Sequence, residues 1–278
     1  AHLKQMGLIH TRAGRLAEAI NAYDRSLAKN GDDSEVIRWR AEAAMLLERF
    51  EEAVQGVTSF LGQAGPVAEV YQARATALTK LGRYGEAIND YTMFLQLSPK
   101  NEQAAQLLAL RGRAYLSEAN KLGKADFEEA VRLNPRNPNH FHGLARARVL
   151  LGEHAEAIAV LEESNKLNRQ VIAQVGAKAW PFLYNPATIY AQASGKVLLD
   201  TKRPREQREE LAKQYAQRAV ELLLEAHQLA GPQFQSKLSE YVRTDSELDP
   251  IRQAPEFLEA LKSLNRDMPP KSDAQKPD

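Results

Sequence analysis

The chain has 278 residues and no cysteine. Disulfides, thiolate metal sites and a cysteine nucleophile are therefore excluded. It lacks an unbroken apolar stretch of about 18 residues or more, so no membrane-spanning helix is expected. No secretory signal is visible, and a cytoplasmic setting is the expectation. An excess of charge is missing too: 37 Lys and Arg face 36 Asp and Glu, a net charge of +1. A general nucleic-acid binder carries a clustered basic excess, so nucleic acid is not an expected partner. There is no phosphate loop, no dinucleotide glycine fingerprint, no nucleophile elbow and no kinase catalytic loop. His140 and His142 form a His-x-His, but residues two apart on a helix do not face each other, and further ligands are lacking. The glutamate pairs Glu51/Glu52, Glu128/Glu129 and Glu209/Glu210 read as helix surface. No catalytic residue, metal or cofactor is expected.

What the chain does have is a beat. Ala19, Ala53 and Ala87 are 34 residues apart, and Ala157 follows 70 later. Gly14 to Gly82 is 68, and Gly82 to Gly152 is 70. Residues 68–99 show the pattern most cleanly, with Tyr71, Ala75, Leu78, Gly82, Tyr84, Ala87, Tyr91, Leu95 and Pro99. Small residues at Ala75 and Ala87 let two helices cross closely, and Tyr84 and Tyr91 fill the wider gaps. Gly82 suits the end of a first helix, where a residue without a Cβ penalty is wanted. Pro99 closes the second helix. The unit near 34–63 keeps Phe50, Ala53 and Leu61 but has Glu48 at the turn. The next unit, with Gly112, Tyr115, Phe127, Ala130 and Pro135, gains three residues before Gly112 and loses one after it. We read a lengthened first helix and a trimmed turn. A fifth unit near 138–168 carries Phe141, Leu144, Gly152, Ala157 and Leu161.

After residue 168 the beat breaks. YNPATIYAQAS (184–194) and YAQRAVELLLEA (215–226) still read as a helix pair, with 29 residues from Tyr190 to Ala219 where nine are expected. The insert contains the charged run TKRPREQREE. It reads as a solvated extension of both helices, with a binding arm as the alternative. Pro255 suits the first turn of a last helix, with Phe257, Leu258 and Leu261 facing inward. The expected division is five helix pairs over 1–168, an atypical sixth pair over 169–230, capping helices over 231–266 and a disordered tail over 267–278.

A 34-residue period with these residues resembles tetratricopeptide repeats, helix–turn–helix units that stack on one another. The resemblance implies an all-α fold, a right-handed α-α superhelix with atypical C-terminal helices. In such repeats the first helices line a concave groove. Its positions here include Lys4, Leu8, Arg38, Trp39, Glu42, Gln72, Thr76, Arg113, His142 and Arg146. Arginine suits two-pronged recognition of carboxylates, and Arg and Trp are enriched at interface hot spots. The candidate partner-binding residues are Lys4, Arg38, Trp39, Gln72, Arg113, His142 and Arg146, and the expected partner is a protein or peptide of acidic character. Trp39 packing between the first two units is the alternative. Some tetratricopeptide domains clamp a carboxylate with groove asparagines; the matching places here hold Leu8 and Trp39, so that specificity is not expected.

The C-terminal part is more particular. Tyr184, Asn185, Ala187, Arg218 to Leu223, Asp245, Leu248, Asp249, Ile251, Arg252 and Phe257 resemble the end of tetratricopeptide regions attached to bacterial serine/threonine protein kinases, notably of planctomycete type. That resemblance implies a kinase-linked or regulatory interaction module. Ala1 falls inside the opening turn of a helix in this register, so the chain reads as a piece of a longer protein. The expected function is a scaffold without catalysis of its own. The alternative is a region that positions substrate for a catalytic domain outside the chain. If the register is right, Ala87→Leu overpacks a helix crossing and costs about 1–3 kcal/mol in a urea melt. A variant as stable as the parent contradicts it.

Overall fold

The computed structural model describes residues 2–31, 33–99, 103–117 and 122–266. All regular structure among these residues is helical. The chain divides into two compact units, 1–133 and 134–278. The N-terminal unit holds four helix pairs: α1 (His2–Arg12) with α2 (Leu16–Leu27), α3 (Ser34–Leu46) with α4 (Phe50–Ala64), α5 (Ala68–Lys80) with α6 (Tyr84–Leu97), and α7 (Ala104–Ser117) with α8 (Leu122–Leu133). Each helix packs on its partner, and α2, α4 and α6 each pack on the first helix of the next pair.

The pairs close on small residues. Ala41 and Ala75 on first helices, and Ala19, Ala53 and Ala87 on second helices, are at most 1% exposed. In the fourth pair the contact is tighter still. A Cβ on Gly123 would meet the Gly112 carbonyl oxygen at 2.7 Å, so no side chain fits there. Larger side chains fill the space to either side: Tyr23, Tyr91, Phe94 and Phe127 are fully buried.

Each described turn between paired helices in the repeats is the same. The backbone N–H groups of Arg15, Arg49 and Arg83 donate to the carbonyls of His10, Ala44 and Leu78, each at 2.9 Å. This bond closes a Schellman motif, which needs a left-handed residue just before the donor. Gly14 and Gly82 supply it with φ of 71° and 74°. In the second pair Glu48 holds φ at 58°, the only non-glycine with positive φ among the described residues. The missing glycine has not changed the turn; Glu48 absorbs the steric cost instead.

A set of arginines spans neighbouring pairs. Arg40, Arg74 and Arg111 each precede the small residue of their first helix, and each reaches back to the second helix of the pair before: Arg40 to Asp24, Arg74 to Thr58 at 3.1 Å and Arg111 to Thr92 at 3.0 Å. Arg74 also grips Asp90 with two bonds of 2.7 and 2.8 Å, and Arg111 grips Asp126 with two of 2.9 and 2.7 Å. Asp90 and Asp126 are buried, and these hydrogen bonds raise the pKa of both arginines. Two-pronged pairs in such settings fix geometry more than they add stability.

The C-terminal unit begins with α9 (Pro138–Leu150) and α10 (His154–Val175). Here Gly152 (φ 79°) repeats the turn, with Glu153 donating to Arg148 at 2.9 Å, and Ala145 and Ala157 are fully buried. α10 runs past residue 168, and α9 and α10 pack on α11 (Pro181–Leu198). α11 packs along α12 (Arg205–Ala230), so the inserted residues form the last turns of α11, the first turns of α12 and a turn over 199–204. Asp200 holds that turn through Lys202 N–H and Arg203, both at 3.1 Å, and faces the buried His154 at 3.3 Å.

α13 (Pro232–Thr244), a 3-10 segment (Ser246–Ile251) and α14 (Pro255–Arg266) complete the unit. Pro255 opens α14, and Phe257 is 1% exposed. Leu258, expected to face inward, is 44% exposed, because the buried stripe runs through Phe257, Ala260 and Leu264. The extra residues before Gly112 lengthen the first helix by one residue, counted from Ala104; the trimmed turn and the tail 267–278 lie outside the described residues.

The strain at Glu48 gives a direct test. Glu48→Gly removes a left-handed penalty of about 1–2 kcal/mol and restores backbone freedom to the unfolded chain worth about 0.5–1 kcal/mol. A net gain of about 0.5–1 kcal/mol is expected in urea. A loss of stability would show that Glu48 is not strained.

Candidate functional site

The first helices of the N-terminal unit carry five of the seven candidate residues. Lys4 on α1 is committed within the chain. Its ammonium bonds Asp33 at 3.1 Å and Glu35 at 2.6 Å, and lies 5.0 Å from the centre of the Trp39 ring. Glu35, with Asp33 beside it, raises the Lys4 pKa. Asp33 also caps α3 through Val36 N–H at 3.2 Å, so Lys4 serves a helix start. Trp39 is half-buried, 6.3 Å from the Tyr23 ring, and packs against the core between the first two pairs. One portion of the residue is therefore in the seam, and the rest is open. Arg38 bonds Glu42 one turn along α3 at 2.7 Å. Gln72 on α5 is half-buried, and its backbone carbonyl accepts from the Thr76 hydroxyl.

Arg113 on α7 differs. It is exposed, and no carboxylate pairs with it among the described residues. The protein around it removes enough water to lower its pKa, with Tyr91 on α6 opposing that shift. Arg113 is thus exposed by area while neighbouring protein atoms still displace part of the water around its guanidinium. The Tyr91 hydroxyl is buried and has no hydrogen-bond partner among the described residues.

In the C-terminal unit the two remaining candidates have other roles. His142 is not on an open surface; it is 5% exposed, with the Phe182 ring 6.3 Å away. Asn168 on the long α10 and Phe182 at the start of α11 lie beside it. Burial pushes its pKa down to about 4; Asn168 alongside opposes the shift without reaching hydrogen-bond geometry, and Arg146 adds to it. Its neighbour in the His-x-His, His140, faces the Asn137 amide at 3.2 Å. Among the described residues no cluster of three or more His, Asp or Glu could hold a metal ion.

Arg146 is occupied. Its guanidinium forms a two-pronged pair with Glu247, one arm at 2.6 Å, and reaches Thr188 at 3.3 Å. The 3-10 segment carrying Glu247 lies along α11. Gln192 donates to the Glu247 carbonyl at 2.6 Å, and Tyr184 donates to Asp245 at 2.7 Å. Burial, with the Asp245 carboxylate, raises the Tyr184 pKa. Leu248 and Ile251 are buried, and Arg252 closes the segment on the Asp245 carbonyl at 2.7 Å. Thr188, Tyr184, Gln192 and Glu247 were not singled out from the sequence as a set. The motif joining Tyr184 to Asp245, Leu248, Ile251 and Arg252 was, and here it is a packed chain ending.

The fold defines a helix-pair repeat protein. Models described as tetratricopeptide repeat match residues 5–64, 120–167 and 68–101, about half of the chain, which is a tetratricopeptide-repeat protein over those residues. No curated protein matches the sequence. Solved structures similar in fold include one titled "Crystal structure of MamA protein", at 17% identity and TM-score 0.57, covering 62% of this chain and 93% of that one. Another is MamA 41-end from Desulfovibrio magneticus RS-1, at 19% identity and TM-score 0.56, covering 60% and 94%. At such identities the likeness is one of fold. No described helix is long and apolar enough to cross a membrane.

Burial of neutral His142 makes stability depend on pH. Its folded pKa lies below the unfolded value, so its contribution is complete above about pH 6.5 and is lost as pH falls toward about 4. The expected loss over that window is up to about 3 kcal/mol. His142→Leu should flatten this part of the stability profile. An unchanged profile would show that His142 is not the group responsible.

Proposed function

We propose that the chain is a protein-interaction scaffold without catalysis of its own, and that it captures a peptide of acidic character on the first-helix face of its N-terminal unit. One observation carries this: that face keeps side chains the core does not consume, with Trp39 and Gln72 half-buried and Arg113 exposed and unpaired among the described residues. Lys4 and Arg38 contribute less, because carboxylates of the chain already neutralise them. Affinity rests on several weak contacts around the tryptophan, since an exposed ion pair is worth about 0–1 kcal/mol.

A second reading has its own support. The residues that resemble the kinase-attached regions, Tyr184, Asp245, Leu248, Ile251 and Arg252, are joined in one packed ending. That favours descent from a common module, in which the chain positions substrate for a serine/threonine kinase or another signalling enzyme. A kinase domain in the same open reading frame would support this reading; its absence there would remove it.

The scaffold reading is tested by titrating a library of acidic peptides into a Trp180→Phe chain, which leaves Trp39 as the fluorescent reporter. Binding is expected to shift Trp39 emission, to weaken at least tenfold in Trp39→Ala by competition assay, and to weaken as salt rises, because exposed charges are screened beyond about 8–10 Å. A library with no binder, or binders indifferent to Trp39→Ala, would contradict it.

A further inference from the structure

Arg113 and Arg146 occupy the same place in the repeat. Each follows the small residue of its first helix, Gly112 in α7 and Ala145 in α9, and both of those residues are buried. A residue one step along a helix is turned by about 100°, so both arginines leave the helix on the same side relative to the crossing. The other residues at this place are Leu8, Glu42 and Thr76, and in α11 it is Thr188, which follows the buried Ala187. Among them only Arg113 and Arg146 can grip a carboxylate with two prongs.

The chain itself displays what an arginine at this place binds. Arg146 holds Glu247 with both arms of its guanidinium, and the acidic residue arrives on a short 3-10 turn rather than on an extended strand or a long helix. The next first helix reads the backbone of that turn, through Gln192 on the Glu247 carbonyl. That copy of the site is closed. Leu248 and Ile251 anchor the turn in the core, at 0% and 1% exposure, so a partner cannot readily displace it. Arg113 has the same position, no carboxylate among the described residues and a buried phenol without a partner, Tyr91, close enough to act on its charge.

We infer that the place after the first-helix small residue is a carboxylate-reading position used twice, once within the chain by Arg146 on Glu247 and once for a partner by Arg113, which takes a glutamate presented on a short turn. This rests on the scaffold reading and makes it specific. Partner capture is confined to the N-terminal unit, because the corresponding place in the C-terminal unit is filled by residues 245–251. The recognition needs the planar fork of arginine, so lysine is not an adequate substitute.

The probe is a fluorescent peptide with the sequence of residues 243–254, together with the same peptide carrying glutamine in place of its one glutamate. Both are titrated by anisotropy into the whole chain. The glutamate peptide is expected to bind at least tenfold more tightly than the glutamine peptide. In Arg113→Ala and Arg113→Lys the two peptides should bind alike, at the weaker level. Arg146→Ala should leave the glutamate peptide within twofold of the parent, with circular dichroism confirming the fold; if that variant unfolds, Glu247→Gln takes its place. Equal binding of the two peptides to the parent, no binding of either, or a loss that follows Arg146 instead of Arg113 would overturn the inference. Peptides from the acidic library that depend on Trp39 but ignore Arg113 would overturn it while leaving the scaffold reading intact.

Discussion

Two helices can approach closely only where the facing side chains are a methyl group or nothing, and this constraint recurs through the chain. Ala41, Ala75 and Ala145 on first helices and Ala19, Ala53, Ala87 and Ala157 on second helices are buried to 1% exposure or less. Where the fourth pair crosses on Gly112 and Gly123, even a methyl group is excluded. Packing at interior density leaves no slack for an added methylene at such points. The turn follows from it. With the crossing fixed, the chain must reverse within three residues, and a left-handed residue is the way it does so. Glu48 accepts that conformation because the crossing on either side demands it.

Close crossing does not by itself set how one pair follows another. In the N-terminal unit that task falls to Arg40, Arg74 and Arg111, which bond Asp24, Thr58 and Thr92 of the preceding pairs. Apolar faces slide past each other with little penalty, whereas the guanidinium groups of Arg74 and Arg111, each held by a buried aspartate, have one satisfactory position. Arginine thus has two uses on neighbouring places of the first helix. Just before the small residue it is structural and internal. Just after it, arginine is exposed, as at Arg113, or bonded to Glu247, as at Arg146.

The sequence made the small-residue beat legible because alanine and glycine at a helix crossing have few substitutes. The tetratricopeptide units, the turns and the helical character followed from it. What escaped was pairing. Asp24, Thr58 and Thr92 stand 34 apart, the same beat as the alanines, and that regularity was a readable sign of the arginine ladder. Glu247 is 101 residues from Arg146, and no local pattern announces such a contact. His142 was misplaced because the groove register assumes an open face, whereas Phe182 and the long α10 bury it. Leu258 was misplaced by one step of the helical stripe, since Ala260 rather than Leu258 shares the face of Phe257 and Leu264.

The charge balance of the chain conceals an uneven distribution of commitments. Lys4, Arg38, Arg74, Arg111 and Arg146 all have carboxylates of their own. Arg113 has no carboxylate among the described residues, which is why the proposed capture is centred on it. The most direct measurement is the NMR signal of the arginine Nε–Hε groups in the whole chain, assigned through Arg113→Lys and Arg146→Lys, as an acidic peptide is added. The account predicts that the Arg113 signal moves with saturation while the Arg146 signal, already bonded to Glu247, stays in place. Movement of Arg146 with a stationary Arg113 would contradict it.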